Sequence, residues 1–165
     1  LAAQFGVTQL AIEMHPGFCV YNPETLLHLR EAVGPAIGAN LDPSHLVWQG
    51  IVIPEAIRTL KGAIWHVHAK DVHVDAANVR RNGVLDTKHY SHALERAWTF
   101  RTAGDGMTEQ TWKQMIAALR LAGYDGTLSL EHEDLLLSRQ EGAERAAAFL
   151  RRLIPQEQPE KLWWA

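Results

Sequence analysis

The chain has 165 residues, of which 47% are hydrophobic and 21% are charged, so it has the length and composition of one globular domain rather than of a disordered or fibrous protein. No run approaches the roughly 18 consecutive apolar residues of a transmembrane helix, which excludes a membrane span. Sixteen basic and nineteen acidic side chains give a net charge of −3, so the chain lacks the positive field that a nucleic-acid partner requires.

The single cysteine, Cys19, cannot form an internal disulfide, and there is no Cys-x-x-Cys pair. This cysteine usage predicts a reducing, cytoplasmic location. The first residues contain neither an initiator methionine nor the layout of a signal peptide, and they resemble the end of a helix. We therefore expect the chain to be a fragment of a longer protein.

The first 60 residues predict two strand–helix units. An apolar, β-compatible run over 8–13 is followed by a helix over 23–33, which has an N-cap candidate before it and Gly34 after it. A second apolar run over 37–42 is followed by a helix over 54–60, which begins with a proline. Both strands end in a carboxylate, Glu13 in the first and Asp42 in the second.

The third strand, over 63–69, carries His66 and His68 two positions apart, so both imidazoles leave the same face. After it we expect a long irregular loop at 69–107, which is far longer than an ordinary βα connection and therefore resembles a functional lid. An amphipathic helix over 108–122 follows.

The fourth predicted strand covers 127–131 and ends in Glu131. A capping box formed by Ser138 and Glu141 opens a last helix that ends near residue 153. Residues 156–165 are predicted to form a polar tail.

Alternating strands and helices predict an α/β fold with a parallel sheet. The sequence contains no glycine-rich phosphate loop. In a (β/α)8 TIM barrel, catalytic residues project from the carboxyl ends of the strands, and each predicted strand here ends in a candidate ligand. We therefore predict about four βα units of a TIM barrel, with residues 1–155 as one domain and 156–165 as the tail.

The four strand ends predict a metal centre. Three carboxylates and one imidazole would meet at one edge of a curved parallel sheet, and oxygen-rich ligands with one nitrogen suit Mn²⁺, Mg²⁺ or Co²⁺. An acid or a histidine at a strand end can instead cap the following helix or meet solvent, but four such residues after four successive apolar runs favour a shared site. The predicted ligands are Glu13, Asp42, His68 and Glu131.

Four motifs resemble the carboxyl-terminal half of the xylose isomerase-like TIM-barrel superfamily. They are Ala-Ile-Glu-Met-His-Pro at 11–16, Asp-Pro-Ser-His at 42–45, His-Val-His-Ala-Lys-Asp at 66–71, and Gly-Tyr-Asp-Gly-Thr-Leu-Ser-Leu-Glu-His-Glu-Asp at 123–134. The resemblance covers residue 8 to about residue 153 and does not specify one substrate. It assigns metal binding to the same four residues, with Mn²⁺ preferred and Zn²⁺ also compatible.

The resemblance implies a divalent-metal-dependent sugar or sugar-phosphate isomerase or epimerase, in which Glu13 and Glu131 transfer protons through a metal-stabilised enediolate. A keto-cyclitol dehydratase is an open alternative because it needs the same ligands and the same proton abstraction. A half-barrel fragment that is catalytically incomplete is a second open alternative. An apurinic endonuclease is less favoured, because Asp86 and His89 have the wrong spacing for its additional zinc ligands.

Four further residues are candidate substrate contacts. The resemblance places His45 against the substrate. Lys70 follows the ligand His68, His15 lies near the expected mouth of the pocket, and Arg101, in the predicted long loop, carries a charge that could bind an anionic or polyhydroxy substrate. The expected partner is a small carbohydrate, with neither nucleic acid nor membrane. Assembly into a homo-oligomer is compatible with the sequence.

Overall fold

A four-stranded parallel sheet forms the centre of the computed structural model, which describes residues 1–157, 160 and 164. The strand order is β1-β2-β3-β6, and every neighbouring pair is parallel. This confirms the predicted α/β class and the partial TIM-barrel architecture. The six strands are β1 (Leu10–Glu13), β2 (Ile37–Leu41), β3 (Ile64–Ala69), β4 (Asp71–Val74), β5 (Trp98–Arg101) and β6 (Leu128–Leu130).

Helices cover the outer face of the sheet and bury the main core against it. Fully buried side chains from both layers, such as Leu41, Val67 and Trp112, belong to one cluster. Burial of this apolar surface is the main favourable contribution to folding. The helices are α1 (Pro23–Val33), α2 (Pro43–Val47), α3 (Ile53–Thr59), α4 (Ala76–Asn82), α5 (Glu109–Leu121) and α6 (Arg139–Leu153).

Local signals explain where the long helices begin. Asn22 caps α1 by accepting a hydrogen bond from the Thr25 backbone N–H, and the Thr25 hydroxyl accepts from the Asn22 backbone N–H in return. Ser138 caps α6 by accepting from the Glu141 N–H. These caps satisfy N–H groups that have no partner within the helix, and they stand where the sequence predicts them.

The prediction of an irregular loop at 69–107 is wrong. β4 follows β3 almost directly and pairs with β5 in an antiparallel ladder, and α4 and a short 3-10 helix at Tyr90–Glu95 lie between them. Trp48 stacks on Trp98 with ring centroids 4.5 Å apart, within a second small core under this ladder. Two four-residue strands are too short to show a period in the sequence, and their pairing depends on the elements between them.

Smaller differences concern the strand ends. α2 is absent from the prediction, and it begins at Pro43 because Asp42 leaves β2 and caps it. His68 is the second-to-last residue of β3 rather than its end. Six tail residues, 158, 159, 161–163 and 165, lie outside the described residues. Within residues 1–157, 160 and 164, no helix has the length and apolar character needed to cross a membrane.

Candidate metal centre

The four predicted ligands come from four different strands of the parallel sheet. Glu13 is the last residue of β1, and His68 is near the end of β3. Asp42 and Glu131 are the first residues after β2 and β6. Because the carboxyl ends of parallel strands share one edge, residues far apart in sequence are brought together there.

One ligand atom from each of these four residues lies within 4.8 Å of the other three. His68 Nδ1 is 2.6 Å from Glu131 Oε2, 3.5 Å from Glu13 Oε1 and 3.7 Å from Asp42 Oδ2. The imidazole nitrogen is therefore surrounded by three carboxylates, in a space the size of a single coordination sphere.

The same four atoms are buried from solvent and form no hydrogen bond with the described residues, although His68 Nδ1 and Glu131 Oε2 are close enough for an ion pair: Glu13 Oε1, Asp42 Oδ2, His68 Nδ1 and Glu131 Oε2. Buried polar atoms are normally hydrogen-bonded, because an unpartnered one carries the full cost of desolvation. A divalent cation would satisfy all four at once. The donor set, three oxygens and one nitrogen, fits such an ion.

The two carboxylate oxygens of Asp42 have different roles: one caps a helix and the other faces the ligand cluster. Oδ1 accepts hydrogen bonds from the backbone N–H and the hydroxyl of Ser44, at 2.8 and 2.7 Å, and so caps α2. Oδ2 makes no hydrogen bond with the described residues and lies 3.7 Å from His68 Nδ1. The cap therefore fixes the carboxylate in the orientation that a ligand would need.

Electrostatic coupling within the cluster is strong. Asp42 and Glu13 raise the pKa of His68 to about 10, against the opposing effect of burial. His45 and then His68 hold the pKa of Glu13 far below its ordinary range. Burial favours a higher pKa for Asp42, but His68, His45 and Lys70 outweigh it, and the net pKa is lowered. Glu13 and Asp42 are thus kept ionised beside a positive charge.

His45 and His15 line the same edge. His45 is 2% exposed, and its Nε2 lies 3.5 Å from Glu13 Oε1 and 3.7 Å from Asp42 Oδ2. The rings of His15 and His45 are 4.2 Å apart, and Phe100 meets His45 edge-on at 5.3 Å. The structure therefore brings both predicted histidines to the cluster, with His45 the nearer to the carboxylates.

Lys70 is a buried cation beside the cluster. Its Nζ lies 2.9 Å from Glu131 Oε1, 2.6 Å from Glu133 Oε2 and 3.8 Å from Asp42 Oδ2, and it stands 4.2 Å above the Phe100 ring. Burial favours a lower pKa for this amine, but the carboxylates outweigh it and the net pKa is raised. Lys70 therefore supplies a fixed positive charge that holds Glu131.

Arg101 lies in a different environment. Its guanidinium contacts Asp134 Oδ1 at 3.5 Å, in a groove of about 360 Å³ that His73 and Arg145 also line. Asp86 accepts hydrogen bonds from Lys88 and from the Ala97 backbone N–H, and thus secures the segment before β5. The structure groups Arg101 and Asp86 with these local partners rather than with the four clustered ligands.

The sequence patterns did not identify three residues that the structure places at the site. Asn40 contacts His68 Nε2, Glu133 contacts Lys70, and Phe100 lies under both Lys70 and His45. Asn40 lies in β2 two positions before Asp42, and Glu133 lies two positions after Glu131 in the segment that follows β6. In the sequence, this spacing from a predicted ligand is the signal that could have pointed to either residue. Phe100 comes from β5, which the sequence does not reveal.

Two curated relatives match most of the chain. The uncharacterized protein YfiH of Bacillus subtilis is 43% identical over 151 residues, which are 92% of this chain and 48% of YfiH. Inosose dehydratase of Geobacillus thermodenitrificans is 30% identical over 134 residues, which are 81% of this chain and 43% of the dehydratase. The chain spans about half the length of these relatives.

Solved structures share the fold. A xylose isomerase domain protein from Planctomyces limnophilus matches with a TM-score of 0.64 and 24% identity, over 92% of this chain and 46% of that one. A xylose isomerase-like TIM barrel/4-hydroxyphenylpyruvate dioxygenase fusion protein matches with a TM-score of 0.64 and 23% identity, over 92% of this chain and 22% of that one.

The family comparison extends over almost the whole described chain. The sequence model of the xylose isomerase-like TIM barrel matches residues 1–153, from the first residue to the end of α6. Together with the strand order and the clustered strand ends, this match establishes that the chain belongs to the xylose isomerase-like TIM barrel family.

Proposed function

We propose that the chain is the metal-binding half of a divalent-metal-dependent sugar or sugar-phosphate isomerase or epimerase, which works by proton transfer through an enediolate. The observation that carries this proposal is the convergence, at the ends of four strands, of four buried ligand atoms that form no hydrogen bond with the described residues. Mn²⁺ is the proposed ion, because three oxygens and one nitrogen are a suitable set for it.

A proton next to a carbonyl is weakly acidic, and its removal needs a base and stabilisation of the developing negative charge. A divalent ion held by Glu13, Asp42, His68 and Glu131 would supply that stabilisation as a Lewis acid. Glu131 and Glu13 are the proposed proton-transferring groups. Both are about one-third exposed, unlike the fully buried Asp42, so substrate can reach them.

Lys70 has two proposed tasks in this reaction. Its contact with Glu131 Oε1 orients the carboxylate and leaves Oε2 toward His68. Its positive charge also offsets part of the negative charge of Glu131, Glu133 and Asp42. The proposed contacts for substrate hydroxyl groups are His45, which lies beside Glu13, and His15, whose ring is tilted against that of His45 at 4.2 Å.

A keto-cyclitol dehydratase is the second candidate, and one specific observation favours it: 30% identity over 134 residues to inosose dehydratase. Dehydration begins with the same proton removal and then expels a hydroxyl group from the neighbouring carbon. The two candidates therefore share the ligands and the base and differ in the fate of the intermediate.

The described sheet has four parallel strands, whereas a complete TIM barrel has eight. β1 and β6 each have a neighbour on only one side within the described residues. The isolated chain is therefore proposed to bind the ion and to need four further βα units for turnover.

The test is a panel of ketoses, ketose phosphates and inososes incubated in heavy water with Mn²⁺ and followed by proton NMR. Two preparations are compared: the chain alone, and the chain mixed with the part of YfiH that it does not match. We expect deuterium at a carbon next to the carbonyl, in an isomerised or epimerised product.

Loss of a hydroxyl group from an inosose would select the dehydratase instead. Turnover with complete retention of the substrate hydrogen would contradict proton transfer and indicate a hydride shift.

A further inference from the structure

Asn40 contacts the ring nitrogen of His68 that does not face the carboxylates, Nε2. It lies on β2 two positions before Asp42, and its Nδ2 is 3.0 Å from His68 Nε2. His66, the neighbouring imidazole on β3, has its own partner because its Nε2 lies 2.8 Å from the Ser129 hydroxyl. Asn40 is therefore the hydrogen-bond partner that the described residues give to His68 Nε2.

Two buried atoms of this pair form no hydrogen bond with the described residues, Asn40 Oδ1 and His68 Nδ1. A cation binds a histidine only in its neutral form, and a neutral imidazole donates from one nitrogen and accepts at the other. If Asn40 Nδ2 donates to Nε2, the ring proton must lie on Nδ1, the atom that faces the three carboxylates. An imidazole in that tautomer cannot offer Nδ1 to a cation.

Rotation of the Asn40 amide by about 180° exchanges its oxygen and nitrogen at nearly the same positions. Oδ1 then accepts a hydrogen bond from His68 Nε2–H, and Nδ1 carries a lone pair directed at the carboxylate cluster. One rotation thus gives Asn40 Oδ1 a partner and makes Nδ1 available as a ligand. Histidine ligands commonly have their second ring nitrogen held in this way.

We propose that Asn40 is a positioning residue that accepts a hydrogen bond from His68 Nε2 and thereby presents Nδ1 to the bound ion. This inference rests on the metal centre of the proposed function and adds a residue that selects the tautomer of its single nitrogen ligand. Asn40 itself touches neither the ion nor the substrate.

Calorimetric titration of Mn²⁺ into three variants tests the proposal. Asn40→Leu keeps the approximate volume and removes the acceptor, and we expect Kd to rise about 10- to 100-fold, as for other partners of ligating histidines. Asn40→Asp keeps an acceptor, and we expect binding at least as tight as in the unsubstituted chain. Asn82→Leu, at an exposed asparagine that ends α4, is the matched control and leaves Kd unchanged.

A second readout reports the tautomer itself and does not depend on the variants folding. Nitrogen-15 NMR of the unsubstituted chain loaded with Zn²⁺ or Mg²⁺ is expected to show His68 protonated at Nε2 and unprotonated at Nδ1. An unprotonated Nε2 in the loaded chain would overturn the proposal, as would an unchanged Kd in a folded Asn40→Leu variant.

The same titrations separate the role of Asn40 from the existence of the metal centre. If the folded, unsubstituted chain binds no divalent ion, both proposals are contradicted. If it binds the ion and Asn40→Leu binds it equally well, only the proposed role of Asn40 is contradicted.

Discussion

Replacing Glu131 by glutamine is expected to lower kcat by about a thousandfold, within the range of roughly 10² to 10⁴ that general acid–base groups contribute. Glutamine has nearly the same shape as glutamate, but it cannot take up a proton. It also removes the negative charge beside Lys70 and His68. The measurement is steady-state turnover of the substrate identified by deuterium incorporation, in whichever preparation is active.

Glu133→Gln is the matched control for this variant. Glu133 is half exposed and contacts Lys70 at 2.6 Å, but it does not belong to the four clustered ligands. We expect its kcat to stay within about tenfold of the unsubstituted protein. Equal losses in the two variants would show that disturbance of Lys70, rather than loss of a base, explains the effect of Glu131→Gln.

The second large effect is expected at Asp71, a fully buried carboxylate at the start of β4. Its Oδ1 accepts from the backbone N–H groups of Val72 and Met107, at 2.8 and 2.7 Å. Its Oδ2 accepts from the N–H groups of Gly104 and Gly106 and from the Trp112 indole, at 2.9, 3.3 and 2.9 Å. One side chain thereby ties β4, the segment after β5 and α5 together.

Asp71→Asn places an NH₂ group against at least two N–H donors in either amide orientation. We expect the free energy of unfolding to fall by about 3 kcal/mol or more, because several buried donors lose a charged acceptor. Urea unfolding followed by circular dichroism measures the change.

Two comparisons define the origin of that loss. Asp75→Asn, at the N-cap of α4, leaves an acceptor for the single backbone N–H that Asp75 binds, so its cost is expected to be below about 1 kcal/mol. Trp112→Phe removes one of the five donors and part of a buried ring, and we expect an intermediate effect. A small, equal loss in all three variants would contradict the role of Asp71 as the organising acceptor.

The four ligands were predictable because each follows an apolar run and because parallel strands end at one edge. The sequence therefore contained both the residues and the reason for their convergence. Glu13 and Glu131 lie at opposite ends of the sheet order, and only its curvature brings them within 4.8 Å. The sequence pattern of each strand identifies its ligand, and the arrangement of the strands in the sheet brings the ligands close together.

The residues that surround the ligands were harder to predict from the sequence. β4 and β5 are short strands whose pairing is non-local, and Phe100 reaches Lys70 and His45 only through that pairing. Asn40 and His68 lie 28 positions apart, and nothing in an asparagine within an apolar run indicates an imidazole partner. Arg101 carries a charge suited to substrate binding, but the fold pairs it with Asp134.

Glu13, Asp42, His68 and Glu131 are proposed to hold one divalent ion, and Asp42→Asn alters a single one of these ligands. Asparagine retains the oxygen that caps α2, but it replaces the unpartnered oxygen with an NH₂ group. Calorimetric titration with Mn²⁺ should give one ion per folded chain, and binding about 100-fold weaker or absent in Asp42→Asn. No saturable binding to the folded chain, or equal affinity in the folded variant, would contradict the claim.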